Sequence, residues 1–354
     1  MIKKKLDQLT IGYVPISTNF SAPGDCRRFV QYAKEKKLNI EIANPQNTYD
    51  LVVLSQLADI SIWINYKKGM IVYDLIDSYL SIPKYNIKQI FRGTFFYING
   101  RHKKYYFSNR NNIIKMCKVA NAVICSTVVQ KNLILKYNKN THIILDYHDE
   151  IINHHKYVYE IKDTLNLVWE GLPSNIFQLF TIKKALKSIS KDYKLCLHVI
   201  TDLKIKTPFN LFGLIDTKTI LNFLNLNYIL HPWDKNTLSE IITSSDIAII
   251  PLDLSNNFIK GKPENKLLLF WKMGMPVITS STDAYKNAMN KAGLNDFTCL
   301  NNKEWVIKIK NLRKYIDLRK NIAQNGQIYA QNNFSNPIHT SMWDNLFKSI
   351  GFEI

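Results

Sequence analysis

Two lysines frame a turn ahead of an apolar run. The stretch reads Lys262-Pro263-Glu264-Asn265-Lys266, then Leu267-Leu268-Leu269-Phe270-Trp271-Lys272-Met273, then Gly274-Met275-Pro276-Val277-Ile278-Thr279-Ser280-Ser281. Pro263 suits a first helical turn, where its missing N–H costs nothing, and Gly274 followed by Pro276 ends the helix. Met275 to Ser281 reads as a buried strand. Cations at a helix start oppose the helix dipole, so their placement points to an anion held among them and the free backbone N–H groups. A nucleotide diphosphate has the right charge. The competing reading is a solvated helix start whose lysines pair with Glu264.

Other constellations fall where a strand gives way to a loop, the place where open α/β sheets bind ligands. Trp169-Glu170-Gly171-Leu172-Pro173-Ser174-Asn175 ends one strand. There Gly171 lets backbone N–H groups approach a pyrophosphate, and Ser174 or Asn175 is expected to cap the next helix. Asp74 and Asp77 close another strand and could take a proton from an acceptor hydroxyl or cap the next turn. The loop from Ser17 to Arg28 carries Gly24, Asp25, Arg27 and Arg28, with Asp25 either an N-cap or a site residue. His231-Pro232-Trp233-Asp234 ends a later strand, where Trp233 either stacks on a base or covers the domain edge. No G-x-G-x-x-G or G-x-S-x-G is present, and the histidines have no metal-ligand spacing, so neither a metal nor a cofactor is expected.

Residues 84–118 hold nine basic side chains and no acidic one: Lys84, Lys88, Arg92, Arg101, Lys103, Lys104, Arg110, Lys115 and Lys118. Tyr85, Phe91, Phe95, Phe96, Tyr97, Tyr105, Tyr106 and Phe107 are interleaved with them. Such a segment suits an anionic membrane surface, with charges on the headgroups and rings at the acyl boundary. Nucleic acid would ask for a similar composition and ranks lower; aromatics in a core beneath solvated lysines are the plain alternative. The whole chain carries a net charge of +19, which favours anionic partners. Five scattered cysteines without a C-x-x-C pair suit a reducing compartment. No signal-like segment and no apolar run near the ~20 residues of a membrane span is evident, so the expected location is cytoplasmic, possible also at the inner face of a membrane.

The elements that position these residues follow from periodicity. Strands are expected at Leu9–Ile16, Leu38–Ala43, Leu51–Ser55, Met70–Ile76, Ala122–Ser126 and His142–Asp146, with helix-like segments between several of them. The pattern restarts at Leu165–Trp169 and continues through Leu195–Ile200, Tyr228–Leu230, Ile247–Leu252, Pro276–Thr279 and Phe297–Leu300. This is an α/β chain with two successive doubly wound, Rossmann-like domains. Their expected extents are 1–155 and 156–332, with 333–354 as a C-terminal helix.

Lys262, Asn265-Lys266, Gly274, Pro276-Val277-Ile278 and Ser280, together with Ser245-Asp246-Ile247-Ala248-Ile249-Ile250-Pro251, resemble the donor-side motifs of GT-B glycosyltransferases of the family 4-like and family 1-like bacterial surface-glycan groups. The resemblance covers the architecture of nearly the whole chain, and its specific motifs are confined to the segment between Trp169 and Ser281. It implies a central cleft between the domains, with the C-terminal helix crossing back onto the first through Trp343 and Phe347. It places a nucleotide-sugar donor on Gly171, Trp233, Lys262, Glu264, Asn265, Lys266 and Ser280, and an acceptor on Gly24, Arg27 and Arg28. Asp25 and Asp77 become the catalytic candidates, although a retaining enzyme of this kind needs no dedicated base. Leu269 stands where many relatives carry a glutamate for the donor sugar or ribose, and Glu264 is the available substitute. The implied activity is hexosyl transfer to a glycan or lipid-linked acceptor in capsule, lipopolysaccharide or similar synthesis. The rivals are a nucleotide-sugar 2-epimerase of the same fold and a non-catalytic polymer- or lipid-binding protein on a decayed transferase fold.

Overall fold

The computed structural model describes residues 4–82, 94–206 and 213–354. Short apolar runs become strands buried on both faces, as parallel sheets covered by helices require. Leu51–Leu54 and Ile247–Ile250 are examples in which every residue is buried. The first sheet contains β1 (Ile11–Val14), β2 (Ile40–Ile42), β3 (Leu51–Leu54), β4 (Met70–Asp74), β5 (Ala122–Cys125) and β6 (Thr141–Ile143). Its order is β2-β1-β3-β4-β5-β6, and every pairing is parallel.

The second sheet contains β7 (Thr164–Glu170), β8 (Lys194–Thr201), β11 (Tyr228–Pro232), β12 (Ile247–Ile250), β13 (Val277–Ser280) and β14 (Thr298–Cys299). Its order is β11-β8-β7-β12-β13-β14, again all parallel. The order reverses between β7 and β12, which makes a topological switch point where the loops after the two strands part. A separate antiparallel hairpin, β9 (Lys204–Lys206) with β10 (Leu214–Asp216), was not expected. Lys204-Ile205-Lys206 offers one apolar residue, too little pattern to read.

The chain divides into two compact units: residues 1–147 with Gly261–Pro263 and Asn336–Ile354, and His148–Lys260 with Glu264–Ser335. The first unit is completed by the helix Asn336–Ser349, which returns after the second unit is built. Trp343, Leu346 and Phe347 are fully buried there. The Trp343 ring lies 5.6 Å from Phe29, 5.7 Å from Tyr32 and 5.9 Å from Phe347, a cluster that large aromatic rings favour.

The helix over Asn265–Lys272 begins two residues later than Pro263 would set it, with Glu264 at its N-cap. It is apolar nearly all round, and Leu267 through Trp271 are all buried. Gly274 stops it. At φ +76° it adopts a left-handed conformation that suits glycine, and Met275 N–H donates to the Phe270 carbonyl at 3.0 Å.

Candidate donor-side site and first-unit network

At the switch point β7 ends on Glu170, and Gly171 begins the loop. Across the register Ile247 faces Leu167 and Ala248 faces Val168, so the loop after β12 leaves from the same sheet edge as Gly171. Lys266, in the first turn of the helix Asn265–Lys272, reaches back to this edge. Its Nζ donates to the Glu170 carbonyl and lies 3.3 Å from Glu170 Oε2. It also lies 5.1 Å from the centre of the Trp169 ring. A carboxylate, a carbonyl and an aromatic face all favour a cation there, against the helix dipole. Gly171 leaves the space for it: a Cβ at this position would come within 2.5 Å of Lys266 Nζ and 2.8 Å of Trp169.

Glu264 adds a second carboxyl to this unit. Burial pushes its pKa up from 4.5 to about 7, against its own backbone N–H and Lys291, which pull it down. Burial likewise raises the Tyr285 hydroxyl, with Glu264 and Glu170 adding to the shift. Ser280 ends β13, where its Oγ accepts the Leu252 N–H at 2.8 Å and fixes the start of the loop after β12. Gln178 accepts the Asp253 N–H at 2.6 Å and holds the next residue. A pocket of about 240 Å³ opens beyond β12, β13 and β14, walled by Thr181, Asp253, Ser255, Ser280, Asn301 and Trp305. This is below the roughly 300–1,000 Å³ of drug-sized ligand sites, and its lining is mixed, with Leu252, Leu254 and Leu300 among the polar residues.

The other expected donor residues are spread out. Asn265 is the first residue of the helix. Trp233 follows β11, its N–H on the Thr201 carbonyl at 3.1 Å. β11 is separated from β7 by β8, so Trp233 is about two strand spacings, roughly 10 Å, from the switch point. Lys262 belongs to the short segment Gly261–Pro263 that groups with the first unit, unlike Lys266. Ser174 and Asn175 do not cap an α-helix: a 3-10 helix runs from Pro173 to Ile182, with Leu172 at its N-cap.

In the first unit, the residues expected to meet an acceptor form an interior network. Asp25 is inside the short helix Pro23–Cys26, and Ala22 takes the N-cap position. Its buried carboxylate instead accepts the Tyr13 hydroxyl at 2.6 Å and the N–H groups of Ile16 and Ser17 at 2.8 and 2.9 Å. A single side chain thus closes the loop after β1. Arg28 is 0% exposed and forks onto Asp74 with two 2.7 Å bonds, while a third at 3.0 Å reaches Asp146. It therefore presents no surface to an acceptor. Asp74 is 3% exposed; burial pushes its carboxyl up, and Arg28 pulls it back. Arg27 is also buried, with its carbonyl on the Tyr147 N–H at 2.7 Å. Gly24 lies where a side chain would meet Ile16 and Ile76. Asp77 is partly exposed, its backbone held by Gln56 and Gln130.

Of the basic aromatic segment, Lys84, Tyr85, Lys88, Phe91 and Arg92 lie outside the described residues. Phe96 is buried, beneath the Arg101 guanidinium at 4.3 Å from its ring centre. The others divide differently. Phe95, Tyr97, Ile98, Tyr105 and Phe107 are exposed, with Lys103 and Lys104 beside them. The backbone N–H groups of Lys103 and Lys104 are pinned to Asp59 and Ser61, so these two side chains face outward from a fixed strip. Among the described residues no helix is long and apolar enough to cross a membrane.

Sequence reasoning quoted Glu170 but gave it no role. A carboxylate closing a strand immediately before a ligand-loop glycine was the available signal. Nothing local marks Gln178, which holds the Asp253 N–H, or Asn301, which lines the pocket.

No family model matches this chain, and no curated protein matches it. Solved structures do. Anabaena Alr3699/HepE in complex with UDP-glucose is 12% identical, with 96% of this chain and 100% of that one covered at a TM-score of 0.63. A glycosyltransferase from Rickettsia africae is 13% identical over 99% of each chain, with a TM-score of 0.59. S. aureus TarM, in a complex with UDP, is 13% identical at a TM-score of 0.57; 84% of this chain is covered, but it spans 55% of the TarM chain. At these identities the likeness is one of architecture. The chain has the α/β fold of the GT-B glycosyltransferases, with two parallel six-stranded sheets flanked by helices.

Proposed function

We infer that this protein is a nucleotide-sugar-dependent glycosyltransferase. The observation that carries the reading is Lys266, a cation held at the switch point of the second sheet beside a glycine that a side chain would crowd. Solved structures of the same fold hold UDP or UDP-glucose.

In this reading Lys262, Asn265, Lys266 and Gly171 hold the donor diphosphate. Glu264, Ser280 and Trp233 shape the surroundings of its sugar and nucleoside. The bond from the anomeric carbon to the phosphate oxygen breaks, the acceptor oxygen takes that carbon, and the acceptor proton passes to the departing phosphate oxygen in a retaining reaction or to the Asp77 carboxylate in an inverting one. Lysine ammonium groups offset the charge that grows on the departing diphosphate, the largest electrostatic demand of such a reaction. The acceptor is a glycan or lipid-linked saccharide of a bacterial surface polymer, bound by the first unit. Asp25, Arg27 and Arg28 serve it by fixing the loop after β1, and Asp77 remains the more open carboxyl. The strip of Lys103, Lys104, Tyr105 and Phe107 docks on an anionic membrane from the cytoplasmic side.

The test is a thermal-shift and calorimetric series with UDP-, GDP-, CMP- and dTDP-sugars on the wild type and Lys266→Ala. At a hundredfold excess over Kd, one nucleotide class should add about 2.7 kcal/mol of stability, and Lys266→Ala should reduce that gain. If no nucleotide stabilises the wild type, the reading fails. Isomerised donor without any acceptor would instead favour an epimerase.

A further inference from the structure

We propose that Glu170 is a built-in counter-ion that the donor diphosphate must displace from Lys266. The proposal rests on the donor-site reading above and adds a role for a residue that reading does not use. Glu170 is 8% exposed, at the carboxyl end of β7, and its Oε2 is 3.3 Å from the Lys266 ammonium. Its own carbonyl accepts from the same ammonium, and the Trp169 ring closes another side. The carboxylate and the ammonium cancel. An arriving phosphate therefore meets a neutral pair, not a free cation, and with Glu170 unmoved it would share one ammonium between two anions.

Two like charges on a single site repel, so phosphate binding requires the Glu170 carboxylate to give up its hold on Lys266. Lys266 needs no large movement, because the Glu170 carbonyl and the Trp169 ring still hold its ammonium. The exchange also runs backwards. When the sugar has been transferred, the return of Glu170 to Lys266 helps expel the nucleoside diphosphate, in a class of enzyme where product release often limits turnover. Glu170 is thus a positioning residue that tunes phosphate affinity without touching the reacting carbon.

The experiment is calorimetric titration of UDP and of uridine into the wild type, Glu170→Gln, Glu170→Asp and Lys266→Met, with a thermal melt of each to confirm folding. Glu170→Gln should bind UDP about 2- to 5-fold more tightly, the range expected for removing a partly screened competing charge. Uridine, which lacks phosphate, should bind it no better than the wild type. Glu170→Asp, which keeps the charge, should stay near wild type. Tighter UDP product inhibition in Glu170→Gln is the kinetic counterpart. If Glu170→Gln binds UDP equally or more weakly while Lys266→Met has lost affinity, the counter-ion role is wrong and the donor site stands. If Lys266→Met binds UDP like the wild type, the donor site is wrong and this proposal falls with it.

Discussion

Replacing Arg28 by Met separates an acceptor-binding arginine from an interior one. The guanidinium makes three charge-assisted hydrogen bonds, two of 2.7 Å to Asp74 and one of 3.0 Å to Asp146. The Asp146 side chain is 14% exposed and can turn to water, but Asp74 cannot. Removing one partner of such a buried pair costs about 3–5 kcal/mol, chiefly because the other is left uncompensated. We expect about 4 kcal/mol at neutral pH. Arg28, Asp74 and Asp146 all belong to the first unit, so the loss is best read by hydrogen exchange of amides in β1, β3 and β4, with β7 and β12 as the internal control. The pH dependence has a definite sign. In the variant, burial holds the Asp74 carboxyl above its unfolded value of 3.8 with no arginine to oppose it. The stability of the variant is then retained below that value and lost as pH rises, so its deficit against wild type grows from acid toward neutral. Arg28→Met with Asp74→Asn should recover much of the deficit and flatten this slope. A deficit below about 1 kcal/mol, accompanied by a raised KM for the acceptor, would refute the interior assignment.

Glu264→Gln should remove a pH dependence from the second unit. With its folded pKa near 7 against 4.5 unfolded, Glu264 favours folding below pH 4.5, and that contribution is lost as pH rises toward 7. Wild-type stability measured from pH 5 to 8 should carry this downward component and the variant should lack it; parallel curves count against the raised pKa. Trp343→Ala should cost the first unit about 3–5 kcal/mol, as large aromatic truncations in cores do. Exchange rates in β1 and β3 should rise with β7 unchanged, and an unaffected β1 would contradict the aromatic cluster. Lys103→Ala with Lys104→Ala should weaken binding to phosphatidylglycerol vesicles by about 30-fold, at ~1 kcal/mol for each lysine. Equal binding to neutral vesicles, or a shift of random oligonucleotides and not of vesicles, would argue against membrane docking.

The parallel sheets were legible because their strands are short blocks of apolar residues set between helix-length segments. Leu51–Leu54 and Ile247–Ile250 need no partner to be recognised. The hairpin of β9 and β10 has no such block. Among the candidate residues, Gly171 and Lys266 stood out because a glycine after a strand and a cation opening a helix are local anomalies, and the structure places the two side by side. Asp25 and Arg28 were misread for the converse reason. Asp25 read as an N-cap or a catalytic carboxylate, yet its partners are in the strand and loop before it. Arg28 was expected to meet an acceptor, yet its partners are 46 and 118 residues away, a distance over which local spacing carries no information.

The returning helix has a consequence for how the protein is made. Phe29 and Tyr32 emerge from the ribosome long before the rings that cover them, Trp343 and Phe347. The first unit therefore waits, with an apolar face uncovered, while the whole of 148–335 is translated and can fold. At 5–20 residues per second that interval lasts roughly 10 to 40 seconds. The first unit is thus closed only after the second has been made, and a chaperone that shields aromatic surface would find its target in the nascent chain at Phe29 and Tyr32.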